Sequence, residues 1–139
     1  MTEFASYSFD KVIVLVGGIP MSGWDEGDDV IQIERRVDAF SMTVGADGDG
    51  ASSQSLDKSG DILLRFMQTS LSHTFLSAKM ALMERGLLVS VPFLMKDRGS
   101  LVQVAAAPHC LLKKPAPQSW GTAVNSREWT LIAANLQFS

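Results

Sequence analysis

Very few side chains in this sequence could do covalent chemistry. His73 and His109 are its two histidines and Cys110 its one cysteine. Nucleophilic catalysis needs a base beside the nucleophile, and sequence neighbours on a strand point to opposite faces. His109 and Cys110 therefore make a poor pair if they lie on a strand. Two histidines and one cysteine also fall short of a recognisable zinc set. Asp47-Gly48-Asp49-Gly50 opens like a calcium loop, yet Ala51 stands at the third ligand position and the glycine comes two places early. Asp25, Glu26, Asp28 and Asp29 cluster around Gly27. A hard cation needs oxygens converging on one point, whereas adjacent carboxylates in a turn repel and face water. That cluster reads as a solvated loop, with a charged rim facing a neighbouring subunit as the alternative. Gly17-Gly18 matches no phosphate-cradling loop. The expectation is no catalytic residue, no metal site and no cofactor.

The elements around these residues are mostly strands. Tyr7 to Val16 alternates and then becomes a β-branched run, which fits a strand entering a buried position. Gly17-Gly18 turns it, and Ile19 to Gly23 returns as a short partner. In Val30 to Arg36, Ile31 and Ile33 share a core face while Gln32, Glu34 and Arg36 face water. Asp61 to Gln68 places Ile62, Leu64 and Phe66 on one face, with Leu63, Arg65 and Met67 opposite.

Between Ser72 and Arg85 the period becomes helical through Phe75, Leu76, Met80, Leu82 and Met83. Ser70 or Ser72 supplies an N-cap, and Gly86 stands where a C-terminal cap belongs. Leu87 to Lys96 reads as a strand with Val89, Val91, Phe93 and Met95 inward. Pro92 lacks a backbone donor, which predicts an edge position or a bulge. Ser100 to Ala106 pairs back with Val102 and Val104 inward. Ala107 to Gly121 reads as irregular except at Cys110 to Leu112, and Arg127 to Phe138 as one long closing strand. About seven strands and one helix give an α+β, mainly β class, a two-sheet β-sandwich or barrel with a flanking helix.

One stretch departs from this pattern. Val37 to Ser59 connects two strands, whereas a hairpin needs only about two to five residues to turn. Its large apolar residues are Phe40, Met42, Val44 and Leu56, and its centre, Gly45 to Gly50, is turn chemistry. So little apolar surface cannot offset the ordering entropy within one subunit. The segment reads as an arm that becomes ordered against another chain, the alternative being a floppy surface loop.

The length suits one domain with its own core. A hydrophobic content of 46% against 19% charged residues belongs to a folded chain, and a net charge of -3 argues against a general nucleic-acid binder. Met1 to Ser59 holds eleven acidic and four basic residues, and Gly60 to Ser139 four acidic and eight basic. Opposed halves suit head-to-tail stacking of identical subunits, or simply an intramolecular dipole. One cysteine leaves no internal disulfide and fits a reducing compartment. The start lacks the pattern of a signal peptide, and no run approaches the about twenty apolar residues of a membrane helix. Assembly in the cytoplasm is expected.

Several segments, EGDDVIQIER (Glu26 to Arg35), VGADG (Val44 to Gly48), SGDILLRFMQTS (Ser59 to Ser70), LLKKPAP (Leu111 to Pro117) and REWTLIAANL (Arg127 to Leu136), resemble the tail tube proteins of contractile-tailed bacteriophages. With the opening YSFDKVIVLVGG the likeness spans nearly the whole chain, although the run from Ala105 to His109 does not fit the pattern. The resemblance implies a structural virion protein with no enzyme activity. Six copies would form a ring, and rings would stack into a tube inside a contractile sheath. Partners would be further copies, the sheath, the baseplate and the tail terminator, with viral DNA passing through the lumen unbound. The long loop would reach the adjacent ring through Phe40, Met42, Val44, Asp47, Gly48, Asp49 and Gly50. Gln32 and Glu34 are the candidates for the lumen wall, where a neutral or negative lining would repel DNA. The same fold serves secretion-system tubes and tailocins. The rival functions are a monomeric binding module with a mobile loop over a pocket, and a small enzyme.

Overall fold

A computed structural model describes residues 7–99 and 103–139. A short 3-10 turn, Phe9–Lys11, leads into β1 (Val12–Val16) and β2 (Ile19–Pro20), followed by β3 (Ile31–Arg35), β4 (Phe40–Val44), β5 (Gly50–Gln54) and β6 (Gly60–Met67). Helix α1 (Leu71–Glu84) then precedes β7 (Val91–Asp97), β8 (Gln103–Leu112), β9 (Ser126–Ala133) and β10 (Gln137–Phe138). The architecture is mainly β with one α-helix, as the alternation predicts.

Eight strands form one antiparallel sheet in the order β2-β1-β7-β8-β9-β6-β3, with β10 also pairing β8, while β4 and β5 form a separate two-stranded ribbon. Val14 and Val16 of β1 share one core with Ile62, Leu64 and Phe66 of β6. Strands so far apart in the order meet only because the sheet folds over on itself, forming the two layers. Strict alternation drives this packing: Ile62, Leu64 and Phe66 on β6 and Trp129, Leu131 and Ala133 on β9 are buried. Fully burying each large apolar side chain contributes roughly 1.5–3 kcal/mol.

Helix α1 is fixed mainly at its ends. Ser70 Oγ accepts the Ser72 N–H and donates to the Ser22 carbonyl, while Ser72 Oγ accepts the Ser22 N–H. At the other end Gly86 takes φ 74°, its N–H reaches the Met83 carbonyl and the Leu87 N–H reaches the Leu82 carbonyl. This is a Schellman closure, for which glycine suits the left-handed position. Ser72 and Leu76 are its buried residues, so the helix lies lightly on the sheet.

The structure corrects several expectations. β7 starts at Val91 rather than Leu87, and Val89 is 84% exposed instead of inward. Pro92 lies in an interior strand, between β1 and β8, not at an edge. The bulge alternative holds: Val91 pairs with Cys110 and Phe93 with Ala107, so Pro92 of β7 alone lies opposite both Pro108 and His109 of β8. That extra residue shifts the inward phase of β8 from Ala105 and Ala107 to Cys110 and Leu112. β8 therefore runs through Pro108, where the sequence reads as irregular, and Val104 is only half-buried. Val102 and the start of that strand lie outside the described residues. The C-terminal segment is two strands rather than one. β9 pairs with β6 and β8, and the chain bends at Ala134-Asn135 before β10 returns to Ala105 and Ala106.

Candidate functional site

The stretch from Val37 to Ser59 is a β-hairpin rather than irregular chain. β4 and β5 pair from Phe40↔Gln54 through Met42↔Ser52 to Val44↔Gly50. The turn is closed by the Gly45 N–H on the Asp49 carbonyl at 2.7 Å and the Gly48 N–H on the Gly45 carbonyl at 3.0 Å. Asp47 Oδ1 accepts the Asp49 N–H, and Gly48 takes φ 92°. The expected turn chemistry at Gly45 to Gly50 is therefore in place, and it supports pairing on both sides of it.

Every residue of β4 and β5 is exposed. Phe40, Met42 and Val44 alternate onto one face of the ribbon and are 66%, 74% and 61% exposed. Ser41, Thr43, Ala51 and Ser53 occupy the other face. An isolated two-stranded ribbon is at best marginally stable in water, and this one carries an uncovered apolar row.

The base of the ribbon, by contrast, is firmly held. The Arg36 N–H reaches the Ser59 carbonyl, and its guanidinium grips both Asp61 carboxylate oxygens at 2.9 and 2.6 Å. That hydrogen bond holds the Asp61 carboxyl below its usual range, and the Ser59 N–H does the same for Asp57. Arg35 donates twice to the Leu136 carbonyl, and the Leu136 N–H reaches the Lys58 carbonyl. A rigid root thus carries a projecting ribbon.

Gln32 and Glu34 are exposed on β3, the last strand in the sheet order. Register places them beside Leu63 and Asp61 of β6 and then Thr130 and Ile132 of β9, on the face turned away from the core. Ion pairs on that face join Arg36 to Asp61, and Arg65 to both Asp29 and Glu128. The outer edge of β3 has no strand partner among the described residues.

The reactive side chains are dispersed. Cys110 is fully buried, and burial pushes its thiol up to about 11. His109 is exposed on the opposite face of β8, its Nδ1 3.0 Å from Ser90 Oγ. Among the described residues no group of three metal-ligating side chains converges, and Asp25, Glu26, Asp28 and Asp29 lie in a loop where Asp29 meets Arg65. Sequence reading overlooked Arg127, which is buried with its guanidinium 4.8 Å from the Trp120 ring centroid. The signal was its phase: Arg127 alternates with Trp129 and Leu131, so it had to point inward.

Solved structures that share this fold include chains of a tube-terminating cap, a sheath–tube complex and a sheath/tube terminator. The anti-feeding prophage cap, a tube-terminating cap, has a TM-score of 0.61 at 9% identity, covering 100% of this chain and 94% of the other. A chain of the PVC extracellular contractile injection system sheath–tube complex in the extended state gives 0.59 at 12%, covering 96% and 91%. A chain of the PVC sheath/tube terminator gives 0.59 at 13%, covering 100% and 99%. Identities this low establish the fold alone. No curated protein matches in sequence. The family described as Bacteriophage PhiTE tail tube protein matches residues 4–137, nearly the whole sequence, so the chain belongs to that family: it is a structural tube protein of the virion tail, not an enzyme.

Proposed function

We propose that copies of this chain form rings of six that stack into the tail tube within a contractile sheath, with the lumen as the conduit for DNA. The whole of residues 1–139 acts as one tail-tube domain with an inter-ring arm at 37–59. The observation that carries this reading is the ribbon of β4 and β5. Its apolar row of Phe40, Met42 and Val44 is exposed while its root is locked, the form expected of an arm that is buried by a neighbour. Asp47, Gly48, Asp49 and Gly50 form its tip and reach the next ring.

Within a ring, the unpaired edge of β3 is covered by a neighbouring copy, since closure removes exposed edges. The face carrying Gln32 and Glu34 then lines the lumen. Its carboxylates, Asp29, Glu34, Asp61 and Glu128, are offset by Arg36, Arg65 and Lys113. Such a lining neither grips nor strongly repels a polyanion. Sheath, baseplate and terminator are the further partners, and assembly takes place in the host cytoplasm. Electron microscopy and native mass measurement of the purified chain test the reading. Rings or tubes of six-fold symmetry are expected, and a monodisperse monomer at high concentration overturns it.

A further inference from the structure

The chain's two Asp-Gly pairs, Asp47-Gly48 and Asp49-Gly50, both lie at the tip of the ribbon, and all four residues are exposed. A glycine has no Cβ to shield its main-chain nitrogen, so that nitrogen can reach the carboxyl carbon of the preceding aspartate. The two pairs differ in what holds them. The bonds of Gly45 N–H to the Asp49 carbonyl and of Ser55 N–H to the Ala39 carbonyl mark the hydrogen-bonded positions of the β4–β5 ladder, which alternate with non-bonded ones. The pair Val44↔Gly50 falls between them. The Gly50 N–H therefore points out of the ladder, and no third strand meets it among the described residues. The Gly48 N–H, in contrast, is bound to the Gly45 carbonyl, and Asp47 Oδ1 holds the Asp49 N–H. We propose that Asp49 is a self-modification site, at which the free Gly50 nitrogen converts the residue to isoaspartate through a cyclic imide.

The Gly50 nitrogen gives its proton to water and bonds to Asp49 Cγ, and a carboxyl oxygen leaves as water. Water then adds at the ring's α-carbonyl carbon, whose bond to the nitrogen breaks, so that the main chain runs on through Cγ. One water leaves and one enters, no electron is transferred, and mass and charge are unchanged. Closing the ring at Asp49 releases one hydrogen bond, that of the Gly45 N–H, whereas at Asp47 it would release both the Gly48 and the Asp49 N–H bonds. The product undoes the closure of the ribbon. The Asp49 α-carbonyl that accepts the Gly45 N–H at 2.7 Å becomes a free carboxylate, and the path to Gly50 gains one carbon. Gly50 and Ala51 then no longer stand opposite Val44 and Thr43. No residue of either strand is buried, so no core contact offsets the loss in a ribbon that is marginal by itself. The inference concerns the free chain and does not depend on the tube reading.

The test is incubation of the full-length, unassembled chain in heavy-oxygen water at neutral pH and physiological temperature. Cleavage after Arg36 and Lys58 then frees the Val37–Lys58 peptide for fragmentation mass spectrometry. Each imide hydrolysis leaves one heavy oxygen behind, so label and isoaspartate at residue 49 are expected, several-fold above residue 47. Asp49→Glu, which would need a six-membered ring, should suppress both. So should Gly50→Ala, whose Cβ fits beside Met42 Sδ at 3.9 Å yet shields the nitrogen. The Gly45 amide should exchange its hydrogen faster in the isomerised chain than in the intact one. A synthetic peptide of residues 44–52 supplies the rate without the ribbon. Label at Asp47 equal to or above that at Asp49, or a chain left unlabelled while the peptide converts, overturns the inference. An unchanged Gly45 exchange rate overturns the structural consequence drawn from it.

Discussion

The indole N–H of Trp129 donates to Nδ1 of His73 across 3.0 Å, joining β9 to the first turn of α1. An indole only donates, so Nδ1 must be unprotonated and the ring neutral. Burial, and then the charge of Arg127, hold the His73 pKa below its ordinary value. The unfolded chain therefore takes up the proton more readily than the native one. Stability from this contact is fully present above about pH 6.5 and is lost as the pH falls from there through the lower native value. Thermal melts of the unassembled chain should shift downward between neutral and mildly acidic pH. His73→Gln, whose amide oxygen still accepts, should flatten that slope, and His73→Leu should cost about 1–3 kcal/mol by orphaning the indole N–H. An unchanged slope in His73→Gln would refute the assignment.

Gly60 and Gly50, the first residues of β6 and β5, give a contrast. A Cβ at Gly60 would lie 2.6 Å from both the Glu34 carbonyl oxygen and Leu136 Cδ2, whereas one at Gly50 would meet Met42 Sδ at 3.9 Å. The carbonyl belongs to the β3–β6 ladder and cannot retreat without opening it. Gly60→Ala is expected to destabilise by about 1–3 kcal/mol, and Gly50→Ala to stay within about 0.5 kcal/mol. Urea denaturation midpoints compare the two directly.

How far the sequence carried these conclusions depends on the element. Period-2 alternation placed Ile62, Leu64 and Phe66 inward because β6 is covered on its core face along its whole length. The caps of α1 were legible because Ser70 and Gly86 act through their own backbone neighbours. β8 was not legible: the bulge opposite Pro92 changes its phase, and only pairing with β7 reveals that. The ribbon was half legible. Glycines and aspartates announced a turn, but β4 and β5 lack a buried face, so the alternation of Phe40, Met42 and Val44 looked like sparse apolar content. Arg127 was hidden by its charge.

Arg127 is 1% exposed, and no carboxylate among the described residues bonds it. Its guanidinium donates to the Ser119 and Ser126 carbonyls and to Gln68 Oε1, with Trp120 stacked beside it. It therefore acts as a bracket for the segment leading into β9. Arg127→Ala should cost about 2–4 kcal/mol through lost packing and unpaired acceptors. Arg127→Lys should recover little, because an ammonium has neither the fork nor the flat face. Chemical denaturation followed by tryptophan fluorescence measures both the cost and the release of Trp120.

The ribbon should separate folding from assembly. None of its strand residues is buried, so the triple substitution Phe40→Ser, Met42→Ser and Val44→Ser removes no core contact. It is expected to leave the unfolding free energy within roughly 0.5 kcal/mol per site. Deleting Asp47 to Ser53 takes away the tip and most of β5 while the root at Arg36, Ser59 and Asp61 stays outside the deletion. Both variants should still form rings, since the edge of β3 is untouched, but should fail to grow into tubes. Sedimentation and electron microscopy distinguish the two products. Tubes of normal length from either variant would show that stacking is carried elsewhere, and loss of rings as well would show that the ribbon also joins neighbours within a ring.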